Sequence, residues 1–293
     1  MPVLNGATFL PAQFESLAAQ TACPGQIIVS DDGSDDGSMR SVQKFAQEAP
    51  FGILCVDGPR RGYASNVMSL LSHAGSGVVG FCDQDDVWSA DRIEVGLESL
   101  ANIDGPALHV VAREGFGGGW AGSRLHRRHE RSEDSFATAL LRNRAPANAT
   151  LLNAEAVTLV RRGAARLGAP PAFPDWWIYG LVTGAGGTVL QDPRPGVWYR
   201  SHRGNLLGDA GTPRGAVKRL RSLASGRYGG WLRENTRALE ACADLLTPMS
   251  RARLRQFAAA LEAGRTADWL ALGDRGSDCE TMLLKIVASF GLI

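Results

Sequence analysis

No apolar run in this chain reaches the ~18 residues a membrane-crossing helix needs, and no basic-then-apolar segment opens it. Cysteine supplies no framework either. Its five residues, Cys23, Cys55, Cys82, Cys242 and Cys279, are odd in number, scattered and without CxxC spacing, which argues for a reducing compartment and against a disulfide scaffold or a zinc site. Excess charge of one sign is also missing. Lys and Arg total 31 against 30 Asp and Glu, so the net charge of +1 speaks against a globally basic nucleic-acid binder, although arginine clusters late in the chain. Internal repeats are absent, and the Ala, Gly and Arg richness reads as base composition. The expectation is a cytoplasmic protein without a nucleic-acid partner. Its 293 residues are enough for a large core, as one domain with an extension or as two small ones.

What is present begins with alternation. Phe9, Leu10, Phe14, Leu17 and Ala18 define a helical face, Gln26–Ser30 is a buried-type strand, and a helix over about Met39–Glu48 precedes a strand at Gly52–Val56. The turn from Asp57 to Gly62 leads to a helix over about Tyr63–Ala74 and then to the apolar run Gly77–Cys82. Repeated strand–helix–strand units with short connections predict a parallel sheet with right-handed crossovers. Before them, Met1-Pro2-Val3-Leu4 reads as the tail of a first strand, shorter than the ~5–6 residues such a strand usually has.

Two of these strands end in acid. Asp31-Asp32-Gly33-Ser34-Asp35-Asp36-Gly37-Ser38 follows one, with Gly33 and Gly37 suited to positive φ and Ser34 or Ser38 able to cap the next helix. Phe81-Cys82-Asp83-Gln84-Asp85-Asp86-Val87-Trp88 follows the other. The carboxyl ends of parallel strands are where ligands sit in open α/β sheets. Crowded carboxylates repel, and a hard divalent cation, which takes carboxylate oxygens and shares them with substrate phosphates, gives a reason to gather them. The plain alternatives are an ordinary Asp-Gly turn and a solvated acidic turn in which Asp86 starts the next helix.

Asn5-Gly6 with Phe9-Leu10, Gln13 and Ser16-Leu17, then Ile28-Val29-Ser30-Asp31-Asp32-Gly33-Ser34, then the Cys82-Asp83-Gln84-Asp85-Asp86-Val87-Trp88 stretch, resembles the family 2 glycosyltransferases of the GT-A fold, most closely their bacterial rhamnosyltransferase-like branch. The resemblance covers roughly residues 1–208. It implies a GT-A (Rossmann-like) α/β catalytic domain there, with 209–293 as a helical C-terminal extension. It further implies an inverting transferase that takes a sugar, L-rhamnose by branch, from a nucleotide-diphosphate sugar with Mg²⁺ or Mn²⁺, and adds it to a glycan or lipid-linked acceptor of bacterial surface polysaccharide. Asn5, Asp31 and Asp32 are then nucleotide contacts. Asp83 and Asp85 are the metal pair, with Asp85 the more direct ligand and Asp83 also facing the donor.

The second half is read with that resemblance beside it. Val110–Arg131, rich in Gly and Arg, reads as a surface loop or a phosphate clamp. Ala147–Asn153 reads as a strand where the family lines the donor sugar, with Ala where Gly is common. In Pro174-Asp175-Trp176-Trp177 the residue chemistry alone suggests a helix-capping Asp, while the resemblance makes Asp175 the general base; Trp176 and Trp177 read as acceptor contacts lining the sugar wall or, as large hydrophobes, as core. This chain has Pro174 where the branch often has His. Val197–Asn205 resembles the branch's segment over the diphosphate, with Arg200 and His202 as donor contacts. From Pro213 on, Val217, Leu220, Leu223, Leu232, Leu239, Leu254, Phe257 and Leu261 recur at helical spacing. The apolar end, Thr281–Ile293, is expected to pack on the catalytic domain or to lie at the inner face of the membrane beside Arg219, Arg221 and Arg227. The rival readings are a catalytically impaired nucleotide-binding or scaffolding homologue, and a nucleotidyltransferase. The second is disfavoured because Asn5-Gly6-Ala7-Thr8 lacks the basic residue a triphosphate loop needs.

Overall fold

The computed structural model describes residues 1–116, 134–200 and 227–264. Its first part follows the predicted alternation: β1 (Pro2–Val3), α1 (Leu10–Ala18), β2 (Gln26–Asp31), α2 (Ser38–Ala46), β3 (Gly52–Asp57) and α3 (Tyr63–Leu70). β1, β2 and β3 pair in parallel in that order, with Pro2 opposite Ser30 and Gln26 opposite Gly52. The apolar face of α1 buries Leu10, Phe14 and Leu17, and Phe14 stacks on Phe45 of α2 at 4.4 Å between ring centroids. β3 is an edge strand and leaves Leu54 and Cys55 exposed.

A second sheet orders its strands β4-β7-β6-β8-β5, from β4 (Val79–Gly80), β5 (Val87–Trp88), β6 (Ala107–Phe116), β7 (Thr150–Leu152) and β8 (Thr188–Arg200). Its long ladder, β6 on β8, is parallel, while the short ones are antiparallel. Helices α4 (Arg92–Leu100), α5 (Phe136–Leu141), α6 (Ala154–Ala164) and α7 (Pro174–Gly184) connect these strands. Together the two sheets and their helices make the GT-A-type α/β architecture expected.

Three local expectations change. The run 77–82 pairs only at Val79–Gly80, because Phe81 and Cys82 leave the ladder to pack in the core. Residues 147–149 form a 3-10 turn, and only Thr150–Leu152 is strand. Residues 110–116 are not loop but the second half of β6, held by β8 running alongside as far as Arg200. β8 tolerates Pro193 and Pro195 because the register slips there: Val111 faces Asp192, but Ala112 already faces Pro195. The Gly- and Arg-rich remainder of the expected loop, including Gly117, Arg124, His126 and Arg131, lies outside the described residues.

α7 is apolar all round and buries every residue except Asp175, as a helix in the middle of a core must. Two further helices, α8 (Arg227–Glu240) and α9 (Pro248–Glu262), close over it. Leu232, Leu239, Leu254, Phe257 and Leu261 join the same apolar core as the strands and helices before them. A Cβ at Gly180 of α7 would stand 3.1 Å from Leu239, so glycine lets the two helices approach. The expected helical positions Val217, Leu220 and Leu223, the boundary near residue 208, Arg219 and Arg221, and the apolar end 281–293 fall outside the described residues.

Candidate active site

The second acidic turn is fixed at both ends. β4 enters it on the arm of β7, with Gly80 opposite Leu151, and β5 leaves it on β8, with Val87 opposite Trp198. Between them, ligand oxygens of Asp83, Asp85 and Asp86 lie within 4.8 Å of one another. Asp86 does not start a helix: α4 begins at Arg92, and Asp86 is buried. Its carboxylate accepts from Asn148 Nδ2 at 2.5 Å and from the Arg200 N–H at 3.2 Å. Arg200 also donates through Nε to the Asp85 carbonyl at 3.0 Å, its guanidinium 5.4 Å over the Phe9 ring. Tyr63 donates its hydroxyl proton to Asp83 Oδ1 at 2.9 Å.

Burial first, then the neighbouring carboxylates Asp86 and Asp85, push Asp83 up to about 7, although Tyr63 works against them. Asp86 is also raised, by burial and by Asp85, against the stabilising hydrogen bonds of Asn148 and Arg200. Crowded, oxygen-only donors whose ionisation is opposed by their own repulsion suit a hard divalent cation. The oxygen-only donor set of Asp83, Asp85 and Asp86 therefore fits a hard divalent cation.

The first acidic turn is brought to the same rim by two consecutive residues. The Leu4 N–H donates to Gln84 Oε1 of the second turn at 3.0 Å, while the Asn5 N–H donates to Ser34 Oγ of the first at 2.9 Å. Asn5 Oδ1 accepts from the Asp35 N–H at 2.9 Å, with Asn5 itself at φ 50°. Gly33 and Gly37 take the positive φ values anticipated, 103° and 93°. Ser34 and Ser38 do not cap α2. They accept from the Asn5 and Gly6 N–H groups and donate to Asp31 and Asp36. Asp31 holds its own turn through Ser34, and Asp32 accepts from the N–H groups of Arg60 (2.6 Å) and Gly62 (2.9 Å), fixing the turn before α3. Each carboxylate keeps lone pairs for a further donor.

Asp175 occupies the second position of α7, behind Pro174, and is not its cap. Its oxygens accept from the Trp176 N–H at 2.9 Å and the Ala147 N–H at 3.2 Å. Burial nevertheless raises its pKa above the usual carboxylate range, outweighing those two N–H groups and Arg113. Asp175 is the one half-buried residue of α7, and the neighbours Ala147 and Asn148 hold it and Asp86 respectively. The pair Trp176 and Trp177 is a correction. Both are core, 4% and 0% exposed, with Trp176 Nε1 donating to the Ala139 carbonyl and the Trp177 ring packed on Gly163, so no acceptor reaches their faces. His202 lies outside the described residues.

Sequence reading missed Gln84, Tyr63 and Arg113. Arg113 hid inside a stretch taken as loop. It projects from β6 with its guanidinium 5.4 Å over the Tyr199 ring and Nη1 3.4 Å from Asn148 Oδ1.

With this geometry in hand, known proteins fall into line. Residues 1–167 match the family model described as "Glycosyl transferase family 2". Over 100 residues, 34% of the chain, it is 30% identical to an uncharacterized glycosyltransferase of Nostoc sp. strain PCC 7120, covering 31% of that protein. It is 26% identical over 100 residues to the UDP-Glc:alpha-D-GlcNAc-diphosphoundecaprenol beta-1,3-glucosyltransferase WfgD of Escherichia coli, covering 39% of it. The chain thus spans about a third of the length of these curated relatives. Among solved structures, S. aureus TarS 1-349 in complex with UDP-GlcNAc superposes with a TM-score of 0.53 at 14% identity, over 92% of this chain and 87% of that one. The mannosyltransferase PcManGT of Pyrobaculum calidifontis with GDP-Man and Mn²⁺ superposes at 0.50 and 16% identity, over 99% and 83%. At these identities the likeness is one of fold.

Proposed function

This chain belongs to glycosyl transferase family 2, and on that footing we propose that it moves a sugar from a nucleotide-diphosphate sugar to an acceptor hydroxyl, with inversion at the anomeric carbon. The observation that supports the reading is that two consecutive residues tie the two parts together, the Ala147 N–H donating to Asp175 of the buried helix at 3.2 Å and Asn148 Nδ2 to Asp86 of the acidic turn at 2.5 Å. Asp83 and Asp85 would hold a Mg²⁺ or Mn²⁺ ion, which would supply positive charge for the departing diphosphate. Asp175, held by the Trp176 and Ala147 N–H groups, takes the proton of the acceptor hydroxyl, and its raised pKa brings it toward the range a general base uses. Asp31 and Asp32, with Asn5, face the nucleoside from the neighbouring turn. Arg200, anchored to the backbone of Asp85, lies beside the diphosphate with His202 following it in the chain.

Holding donor and acceptor in one cleft contributes the orientation. An acceptor of the lipid-linked glycan class is supported by the name of the E. coli relative, and a role in surface polysaccharide synthesis goes with it. L-Rhamnose is the donor sugar that the Cys82–Trp88 form supports. Among the described residues no helix is long and apolar enough to cross a membrane. Contact of a lipid-borne acceptor with residues 209–293, taken as a helical extension of a catalytic unit over 1–208, is part of the proposal.

Release of free nucleoside diphosphate from a panel of nucleotide-sugars, with Mn²⁺, with Mg²⁺ and with chelator, tests the function. Metal-dependent release from one donor is the expected outcome. Metal-dependent nucleotide binding with no release from any donor would instead mark a binding homologue.

A further inference from the structure

Arg113 stands where the β6–β8 ladder breaks: the register shifts between Val111 and Ala112, and again between Ala112 and Arg113. Such bulges re-aim the side chains beside them and cluster next to active sites. Here the result is an exposed guanidinium lodged on two supports, the Tyr199 ring at 5.4 Å and Asn148 Oδ1 at 3.4 Å. Asn148 is itself fixed, because its other amide end donates to Asp86. The 3.4 Å contact is long, and among the described residues no ion pair joins Arg113 to a carboxylate. A guanidinium carries five N–H donors in a rigid fork. Arg113 is thus oriented by groups that leave most of that fork open, beside Asn148, which holds Asp86, and next to Ala147, which holds Asp175. Preorganised cations of this kind suit a phosphate, since forked N–H donors match its oxygens and little ordering remains to be done on binding.

We propose that Arg113 grips a phosphate of the substrate in the cleft between the metal turn and Asp175. The proposal rests on the transferase reading and deepens it. Without a cation on the Asp175 side, an anionic substrate would enter a cleft walled by carboxylates. A cation held by the acidic turn would offset that field at one end, and Arg113 offsets it at the other. The phosphate can belong to the donor's diphosphate or to a diphosphate that carries a lipid-linked acceptor, and the two sources are separable.

Calorimetric titration of the whole chain in Mn²⁺ with UDP, GDP and dTDP, with the matching nucleosides, and with geranyl diphosphate as a lipid-diphosphate probe decides. In Arg113→Gln the affinity for the preferred nucleoside diphosphate should fall by about tenfold or more while nucleoside affinity holds, a loss of the size of one charge-assisted hydrogen bond. Arg113→Lys, which keeps the charge and loses the fork, should recover part of it and guards against a folding defect in the first variant. If only geranyl diphosphate weakens, the phosphate is the acceptor's and the proposal stands. Unchanged affinity for every diphosphate in both variants, or equal losses for diphosphate and nucleoside, overturns it. A wild-type chain that binds no nucleoside diphosphate overturns the transferase reading, and this proposal with it.

Discussion

The side-chain amide of Gln84 pairs with the backbone of Leu4 in both directions: Oε1 accepts from its N–H and Nε2 donates to its carbonyl, each at 3.0 Å. β1 ends at Val3, and Gln84 supplies the rung that a neighbouring strand would otherwise provide. Because Asn5 bonds the other acidic turn, residues 4 and 5 hold both turns at one rim.

Gln84→Ala should therefore loosen the metal turn as well as lower stability. Two hydrogen bonds at about 1 kcal/mol each predict a melting temperature lower by a few degrees. Gly6→Ala should do the same for a steric reason, since a Cβ there would come within 2.3 Å of Gln84 Oε1. Thermal melts and Mn²⁺-dependent nucleotide titrations check both. Wild-type affinity in the two variants would mean that the turn is positioned by something else.

Asp175→Asn keeps the shape and removes the proton acceptor. Turnover should drop by roughly 10²–10⁴-fold, the usual contribution of a general base, while nucleoside diphosphate affinity stays within about twofold. Steady-state kinetics beside calorimetry separates the two effects. A variant that loses binding and rate together would assign Asp175 to holding the site, not to the chemistry.

The pH dependence has a definite sign. Burial raises Asp175, and it must be ionised to act, so kcat/KM should fall with decreasing pH through a midpoint above the ordinary carboxylate value of about 4. Asp83 and Asp86 are raised as well, so their protonated forms contribute stability below the unfolded carboxylate pKa, and that contribution is lost as pH rises through the raised values. Bound Mn²⁺ removes the repulsion that replaces it. The gain in melting temperature on adding Mn²⁺ should grow from about pH 5.5 to about pH 8, the region around the raised carboxyls. A gain independent of pH would detach the metal from these carboxylates.

Packing beneath the site gives a stability test. At Gly163 of α6 a Cβ would stand 2.6 Å from Leu181 and 2.9 Å from Trp177, both fully buried in α7. Gly163→Ala should cost about 1–3 kcal/mol by overpacking. Gly168→Ala, with nothing within 4 Å, should be close to neutral. Chemical denaturation measures both, and a neutral Gly163→Ala would contradict the close packing of α6 on α7.

Much of this was legible in the residues. The alternation through residue 100 and the two acidic turns stand out because strand, turn and helix signals agree there, and Gly33 and Gly37 adopt the φ their turn demands. Trp176 and Trp177 stayed open between acceptor wall and core because periodicity says that a helix is apolar, not which aromatic is reachable. In α7, apolar on every side, both turned inward. β8 runs through Pro193 and Pro195, whose tolerance depends on a register slip that no local pattern reveals. Arg113 was missed because it lies at the start of a Gly- and Arg-rich stretch that looks like loop until its strand partner is known. Gln84 gave no signal, because its two bonds cross 80 residues of chain.

The most direct test of the central claim, that the acidic turn and Asp175 face one nucleotide-sugar cavity, is anomalous diffraction from crystals grown with Mn²⁺ and a nucleoside diphosphate. The account predicts a manganese peak bridging Asp83 and Asp85, with the diphosphate in the cleft onto which Asp175 opens. A nucleotide bound elsewhere, or a wall of packed side chains between the metal and Asp175, would contradict it.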